Sequence, residues 1–235
     1  NNFLKYEINA NTFQCGLLQN KTNKYLHFTL LQTITNIKLQ LVAKGGNIKC
    51  LKYMYKNRFT NNYFKYIKNM FDYLKKEDND KILCCAAQSG SITCLKFMHK
   101  IIGATDSYQR VLSVSALSGS LACLMYARLV IKATDNNDTL CCAALSKNIK
   151  CLSYAFEVMK LKDVRKYVLM SAALSGNIEC LKYSHKVIQA FNLDNMALTF
   201  AANSGNIECL TYTFENISRI HNRTTLSYAA KSGNI

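Results

Sequence analysis

The chain has 235 residues, 49% of them hydrophobic, so it can bury a substantial core; Pro and Trp are absent, which leaves helices free to form throughout. It shows no signal-peptide pattern and no apolar run long enough to span a bilayer. The net charge of +16 is concentrated in residues 1–100, with 16 Lys/Arg against 5 Asp/Glu, whereas the rest holds 14 against 9; attraction to acidic surfaces is therefore mainly an N-terminal property.

Residues 1–33 are rich in Asn, Thr and aromatics and carry no recurring phrase; a degenerate N-terminal repeat or capping helices are expected there. Residues 34–235 are organised by one phrase. It reads GNIKCLKY at Gly46–Tyr53, GSITCLKF at Gly90–Phe97 and GSLACLMY at Gly119–Tyr126. KNIKCLSY at Lys147–Tyr154, GNIECLKY at Gly176–Tyr183 and GNIECLTY at Gly205–Tyr212 follow, and Gly233-Asn234-Ile235 opens another unit. Its cysteines are Cys50, Cys94, Cys123, Cys151, Cys180 and Cys209, and Leu83, Leu112, Leu140, Leu169, Leu198 and Leu226 run in register with them. Beyond the first, longer step the period is 28 or 29 residues. Self-similarity of this kind marks a stack of short repeats, an architecture whose extended surfaces usually bind rather than catalyse. The chain begins without Met and ends inside a repeat, as expected of a segment of a longer protein.

The unit around Gly119 shows the expected anatomy. Asp106 and Ser107 offer side-chain oxygens to cap a helix over about 108–117, whose Val111, Leu112, Val114 and Ala116 form an apolar face. Ser118-Gly119-Ser120 breaks it, because glycine tolerates the left-handed backbone of a tight reversal. A second helix with Leu121, Cys123, Leu124, Tyr126 and Ala127 should end near Ile131. Alanine pairs such as Ala86-Ala87, Ala143-Ala144, Ala172-Ala173, Ala201-Ala202 and Ala229-Ala230 allow close helix approach. Such a pair cannot bury its apolar faces alone, so stacking must stabilise it. Between Tyr53 and Lys81 the spacing lengthens, and Phe64, Ile67, Met70, Phe71 and Leu74 fit an added amphipathic, basic helix at about 58–77. The eleven cysteines are odd in number and mostly occupy equivalent repeat positions, which points to buried free thiols in a reducing compartment rather than a disulfide scaffold.

Aligned on its glycine, the unit resembles the ankyrin repeat. The family pattern Thr-Pro-Leu-His-x-Ala-Ala-x-x-Gly-His corresponds to Lys81–Ser91 and again to Tyr167–Asn177. The following Glu-Val-Val-Lys-Leu-Leu stretch aligns with Glu179–Ser184 and Glu208–Thr213. Cys180-Leu181-Lys182-Tyr183-Ser184-His185 looks like the variant repeats of giant viruses of amoebae and some protists, and the Asn-, Lys-, Tyr- and Ile-rich composition fits such a source. The resemblance covers residues 37–235 apart from the insertion. It implies an all-α, ankyrin-like solenoid of stacked antiparallel helix pairs. The departures are the missing Thr-Pro and His, Lys147 in place of glycine, and a period shorter than the usual 33. The shortfall implies shortened or absent β-turn fingers, which turns attention to variable residues of the concave helical face. The family implies a noncatalytic protein-binding scaffold or adaptor, intracellular (cytoplasmic or nuclear) and in a host cell for a viral member.

Adjacent cysteines, as in Cys84-Cys85 and Cys141-Cys142, diverge by about 100° on a helix and lack the usual zinc spacing, so core packing is their expected role. His99 and His185 have no second histidine one turn away and are read as helix-end surface groups. No nucleophile motif, phosphate-binding loop or acidic metal cluster is found. No catalytic or metal set and no cofactor is expected; Gly46, Gly90, Gly119, Gly176 and Gly205 are structural positions, like the phrase cysteines. The candidate partner-binding surface is basic: from Lys38 to Lys76 there are ten Lys/Arg and one acid, Asp72, interleaved with aromatics. Its members are Lys49, Lys52, Lys56, Arg58, Lys65, Lys68, Lys75 and Lys76. A single copy holding a protein partner is expected. The alternatives are a nucleic acid or anionic surface bound through segment 38–76, or a merely solvated face.

Overall fold

The computed structural model describes residues 39–58, 81–106, 109–135, 137–161, 165–192, 196–218 and 223–233. Every regular element among them is helical, and the helices come in antiparallel pairs. The pairs are α1 (39–44) with α2 (Ile48–Arg58), α3 (81–88) with α4 (Ile92–Phe97), and α5 (Val111–Leu117) with α6 (Leu121–Tyr126). Then come α7 (Thr139–Leu145) with α8 (Ile149–Ser153), α9 (Arg165–Ser175) with α10 (Ile178–Lys186), and α11 (Met196–Ser204) with α12 (Ile207–Asn216). A further first helix, α13 (Arg223–Ser232), packs on α11. No helix among the described residues is long and apolar enough to cross a membrane.

The reversals after α3, α5, α7, α9 and α11 are built alike, whereas the one between α1 and α2 has Gly45 in place of the serine. Ser89 Oγ donates to the Ala86 carbonyl at 2.7 Å and accepts from the Ser91 amide at 3.1 Å. Ser118, Ser146, Ser175 and Ser204 repeat both bonds one unit after another. The glycine that follows is left-handed, with φ of 70° at Gly90 and 71° at Gly119. The next residue caps the second helix: Ser91, Ser120, Asn177 and Asn206 accept from the amides of Cys94, Cys123, Cys180 and Cys209. Asparagine adds a tie between units, because Asn148 Nδ2 donates to the Gly119 carbonyl at 2.8 Å and Asn177 Nδ2 to the Lys147 carbonyl at 3.1 Å.

The core is a continuous stripe. Leu83, Leu112, Leu140, Leu169 and Leu198 are buried, as are Cys94, Cys123, Cys151, Cys180 and Cys209. First helices of neighbouring units contact each other more extensively than second helices do. Alanine explains the difference: Ala86, Ala87, Ala143, Ala144, Ala172, Ala173, Ala201 and Ala202 are buried between them. The first helices therefore form the inner side of the stack. At its last unit the same columns open to water, and Leu226 is 65% exposed, because no described second helix covers it.

Two local features differ from the sequence reading. The first helix of the Gly119 unit starts at Val111 rather than near 108, because Gln109 is left-handed (φ 54°) and Asp106 Oδ1 caps the amides of Arg110 and Val111. Cys50 is exposed although its sister thiols are buried, and no described helix precedes the α1–α2 pair. Residues 1–33, and 59–77 of the expected inserted helix, lie outside the described residues. The units flanking that insertion are nevertheless direct neighbours, since α2 contacts α4 and a Cβ at Gly46 would sit 3.3 Å from Ser89 Cβ.

Lys147 adopts the glycine conformation with φ 64°, which strains a residue bearing a Cβ. Lys147→Gly should raise stability by about 1 kcal/mol, the strain relieved less the added backbone entropy. A urea midpoint that does not rise would show the site to be unstrained. Ser115 Oγ is buried without a partner, while the same position is Ala86, Ala143, Ala172 and Ala201 in other units. Ser115→Ala should therefore stabilise by about 1 kcal/mol in the same assay, and a lower midpoint would reveal a hidden hydrogen bond.

Candidate partner-recognition surface

The constant residues of the second helix are occupied by packing between units. Tyr126 of α6 is hydrogen-bonded through its hydroxyl to His99 Nδ1 of the preceding unit at 3.0 Å, and the rings meet edge-on at 5.8 Å. Lys96 Nζ stands 5.7 Å from the centre of the same ring. The arrangement recurs three units further on: His185 Nδ1 lies 3.0 Å from the Tyr212 hydroxyl, and Lys182 Nζ lies 5.6 Å from that ring. Between these clips, where the Lys147 unit meets the Gly176 unit, Tyr183 donates to Glu157 Oε1. The Cys-Leu-Lys-Tyr-x-His phrase is thus an inter-repeat clip, in which a cation and an imidazole of one unit hold a tyrosine of the next.

This corrects the reading of His99 and His185 as helix-end surface groups. Both are half-buried, and burial, with Lys100 or Lys186 alongside, holds each imidazole below its ordinary 6.5. Burial, reinforced by the Glu157 carboxylate, pushes the Tyr183 phenol up. Burial also pushes the Cys151, Cys180 and Cys209 thiols up to about 11, with neighbouring cysteines of the ladder adding to the shift in the first two. These thiols stay protonated at neutral pH. Cys84, Cys85, Cys141 and Cys142 are half-buried, and the ten described cysteines are free thiols. Among the described residues no three His, Cys, Asp or Glu side chains are grouped closely enough to hold a metal ion.

Three columns face outward, though Lys96, Lys182 and Glu157 among them also take part in the junction contacts. They stand one residue before the phrase cysteine and two and six after it, a spacing that places them together on the helix face opposite the core. Lys49 and Lys52 occupy the first two columns on α2, and Thr93, Lys96 and Lys100 fill all three along α4 and its continuation. Ala122, Met125 and Leu129 follow, then Lys150, Ser153 and Glu157, then Glu179, Lys182 and Lys186, and finally Glu208, Thr211 and Glu215. All of these are exposed except half-buried Ser153. The outer face therefore runs from basic through apolar and mixed to acidic along one stack.

Of the sequence-derived basic candidates, Lys49 and Lys52 are brought together on exposed α2, next to Tyr53, which is 68% exposed. Lys56 and Arg58 belong to the same helix, and their side chains lie outside the described residues. Lys65, Lys68, Lys75 and Lys76 lie outside them entirely. The structure adds Lys96 and Lys100 of the next unit, and no acid falls within 39–58 or 81–104. Their partnership could have been found from the repeat register, since Lys52 and Lys96 stand at the same phrase position. No protein-family model matches the chain, and no curated protein matches it.

The two histidines make stability depend on pH. Their folded pKa values lie below the unfolded 6.5, so the unfolded chain binds more protons, and stability present above 6.5 is lost as pH falls through that window. The melting temperature should drop between about pH 7.5 and pH 5.5. His99→Gln/His185→Gln should flatten that drop; an unchanged slope would assign it to other groups.

Proposed function

We propose that the chain is a noncatalytic protein-recognition scaffold, an ankyrin-like solenoid with shortened fingers that holds an acidic partner against the basic outer face of α2 and α4. The observation that carries this reading is the contrast between columns. Positions engaged in turns and core repeat from unit to unit, whereas the three outward columns range over basic, apolar, polar and acidic residues along the stack. A repetitive frame with a non-repetitive surface is what recognition by a solenoid requires. Lys49, Lys52, Lys96 and Lys100 supply the local positive potential, which steers acidic partners and fixes their register. A reducing compartment, cytoplasmic or nuclear and in a host cell for a viral adaptor, belongs to this reading, as does a single copy of the scaffold.

The second reading is electrostatic binding of nucleic acid, and Tyr53 favours it: an exposed ring beside Lys49 and Lys52 is a stacking platform next to phosphate-neutralising cations. Fluorescence anisotropy with random single- and double-stranded DNA across a salt series separates the two. The scaffold reading expects no micromolar binding near 0.15 M salt, roughly physiological, and selective capture of one acidic protein that Lys49→Glu/Lys52→Glu/Lys100→Glu abolishes. Micromolar DNA binding at that salt, lost in the same variant, would replace the adaptor by a phosphate-binding solenoid.

A further inference from the structure

A fourth outward column holds an aliphatic residue through four consecutive units. Ile101, Val130, Val158 and Val187 stand seven residues after the phrase cysteine in four consecutive units, and they are 46 to 63% exposed. Asn216 occupies the position in α12 and Asn57 in α2, so the stripe is bounded at both ends. Duplication of one ancestral unit does not explain it, because the neighbouring exposed columns have diverged.

Helix geometry makes the exposure informative. Seven residues are close to two turns of an α-helix, so this column ought to lie beneath the buried cysteines and inside the core. It is turned out of the core in three of the units where the second helix passes into a π-helical turn: Met98–Ile102, Ala127–Ile131 and Tyr154–Val158. The wider turn ends in a left-handed residue at Gly103 and Lys132. In the fourth unit Val187 is the cap of α10 and is also exposed. Repeated π turns inside short helices are uncommon and accompany functional sites. Each aliphatic residue has an exposed lysine within two positions: Lys100, Lys132, Lys160 and Lys186. The helix dipole favours those lysines, but it gives no reason for the aliphatic residues. The one acid inside the ridge, Glu157, is engaged by Tyr183.

We propose that this ridge binds an extended acidic peptide, one apolar side chain to each unit. Stacked helices lie about 8–10 Å apart, the second helices toward the wide end of that range, and one turn of polyproline II chain, three residues, spans about 9 Å with every third side chain on the same face. A peptide with an aliphatic residue at every third position and carboxylates between therefore meets Ile101, Val130, Val158 and Val187 in turn, while its acids face the four lysines. A linear row of single side chains matches a linear ligand better than a planar membrane. The inference rests on the scaffold reading and shares Lys100 with the basic face, but not Lys49 or Lys52, so variants at Lys49 and Lys52 on one side and at Val130, Val158, Lys132 and Lys160 on the other separate the two.

The test is fluorescence anisotropy with a labelled, capped peptide of four Val-Glu-Asp repeats. A control of the same composition carries its four valines run together. The repeating peptide should bind saturably, with the control at least about tenfold weaker. Val130→Asp/Val158→Asp, checked for folding by circular dichroism, and Lys132→Glu/Lys160→Glu should each weaken it by about tenfold, whereas Lys49→Glu/Lys52→Glu should not. Equal binding of both peptides, binding untouched by the ridge variants, or no binding at about 0.5 mM peptide would overturn the proposal. So would preferential binding to vesicles rich in phosphatidylserine that the valine variant abolishes, which would make the ridge a membrane contact.

Discussion

The left-handed reversal between paired helices is the constraint on which the stack depends. A Ser-Gly-Asn turn must satisfy the last carbonyls of one helix and the first amides of the next within three residues, since those groups have no intrahelical partners. Serine takes the carbonyl of the residue three before it, glycine supplies the positive φ, and Asn or Ser caps the amide of the phrase cysteine, as at Ser175, Gly176 and Asn177. With the turn fixed, the cysteine and the leucine after it can only point inward. Where asparagine is used, its remaining amide can reach the preceding unit, as Asn148 and Asn177 do. Local turn chemistry and stacking are thereby joined in a single side chain.

Stacking is then strengthened on the outer side by a device of a different kind. First helices approach closely through alanine, which gives dispersion contact but little directionality. Second helices stand further apart, and the gap is bridged by long side chains: Lys96 and His99 on Tyr126, Lys182 and His185 on Tyr212, Glu157 on Tyr183. Polar bridges fix register where alanine contacts alone would tolerate sliding. Each joins neighbouring units, so stability is a sum of nearest-neighbour terms and the units support one another in series.

Much of the architecture was legible because the Cys-Leu columns record one requirement six times, at a steady period beyond the first step, and glycine fills the turn in five of those units. The helix pairs and the buried Leu and Cys stripes follow from those columns. The clip was not legible. His99 and His185 appear as isolated histidines along the chain, and only the stack brings each to a tyrosine 27 residues ahead. The left-handed backbone at Lys132 and Lys160 was equally hidden, because lysine carries no conformational signal. The outward basic face was half legible: Lys49 and Lys52 were visible as part of a charge run, but their continuation through Lys96 and Lys100 belongs to another unit.

What separates frame from surface in this chain is internal comparison. Six copies of one unit share the same turns and the same core, so a column that holds its residue type answers to packing and one that drifts does not. The Cys−1, +2 and +6 columns drift, and they are the outward ones. The +7 column is the exception, holding an aliphatic side chain while facing water. Burial explains constancy in the leucine column, and hydrogen bonding explains it in the turn serines. Neither is present at Val130 or Val158, where the backbone leaves regular α-helix to turn the residue outward. The proposed peptide contact accounts for an aliphatic column held without full burial, and the neighbouring lysines give that contact its chemical sign.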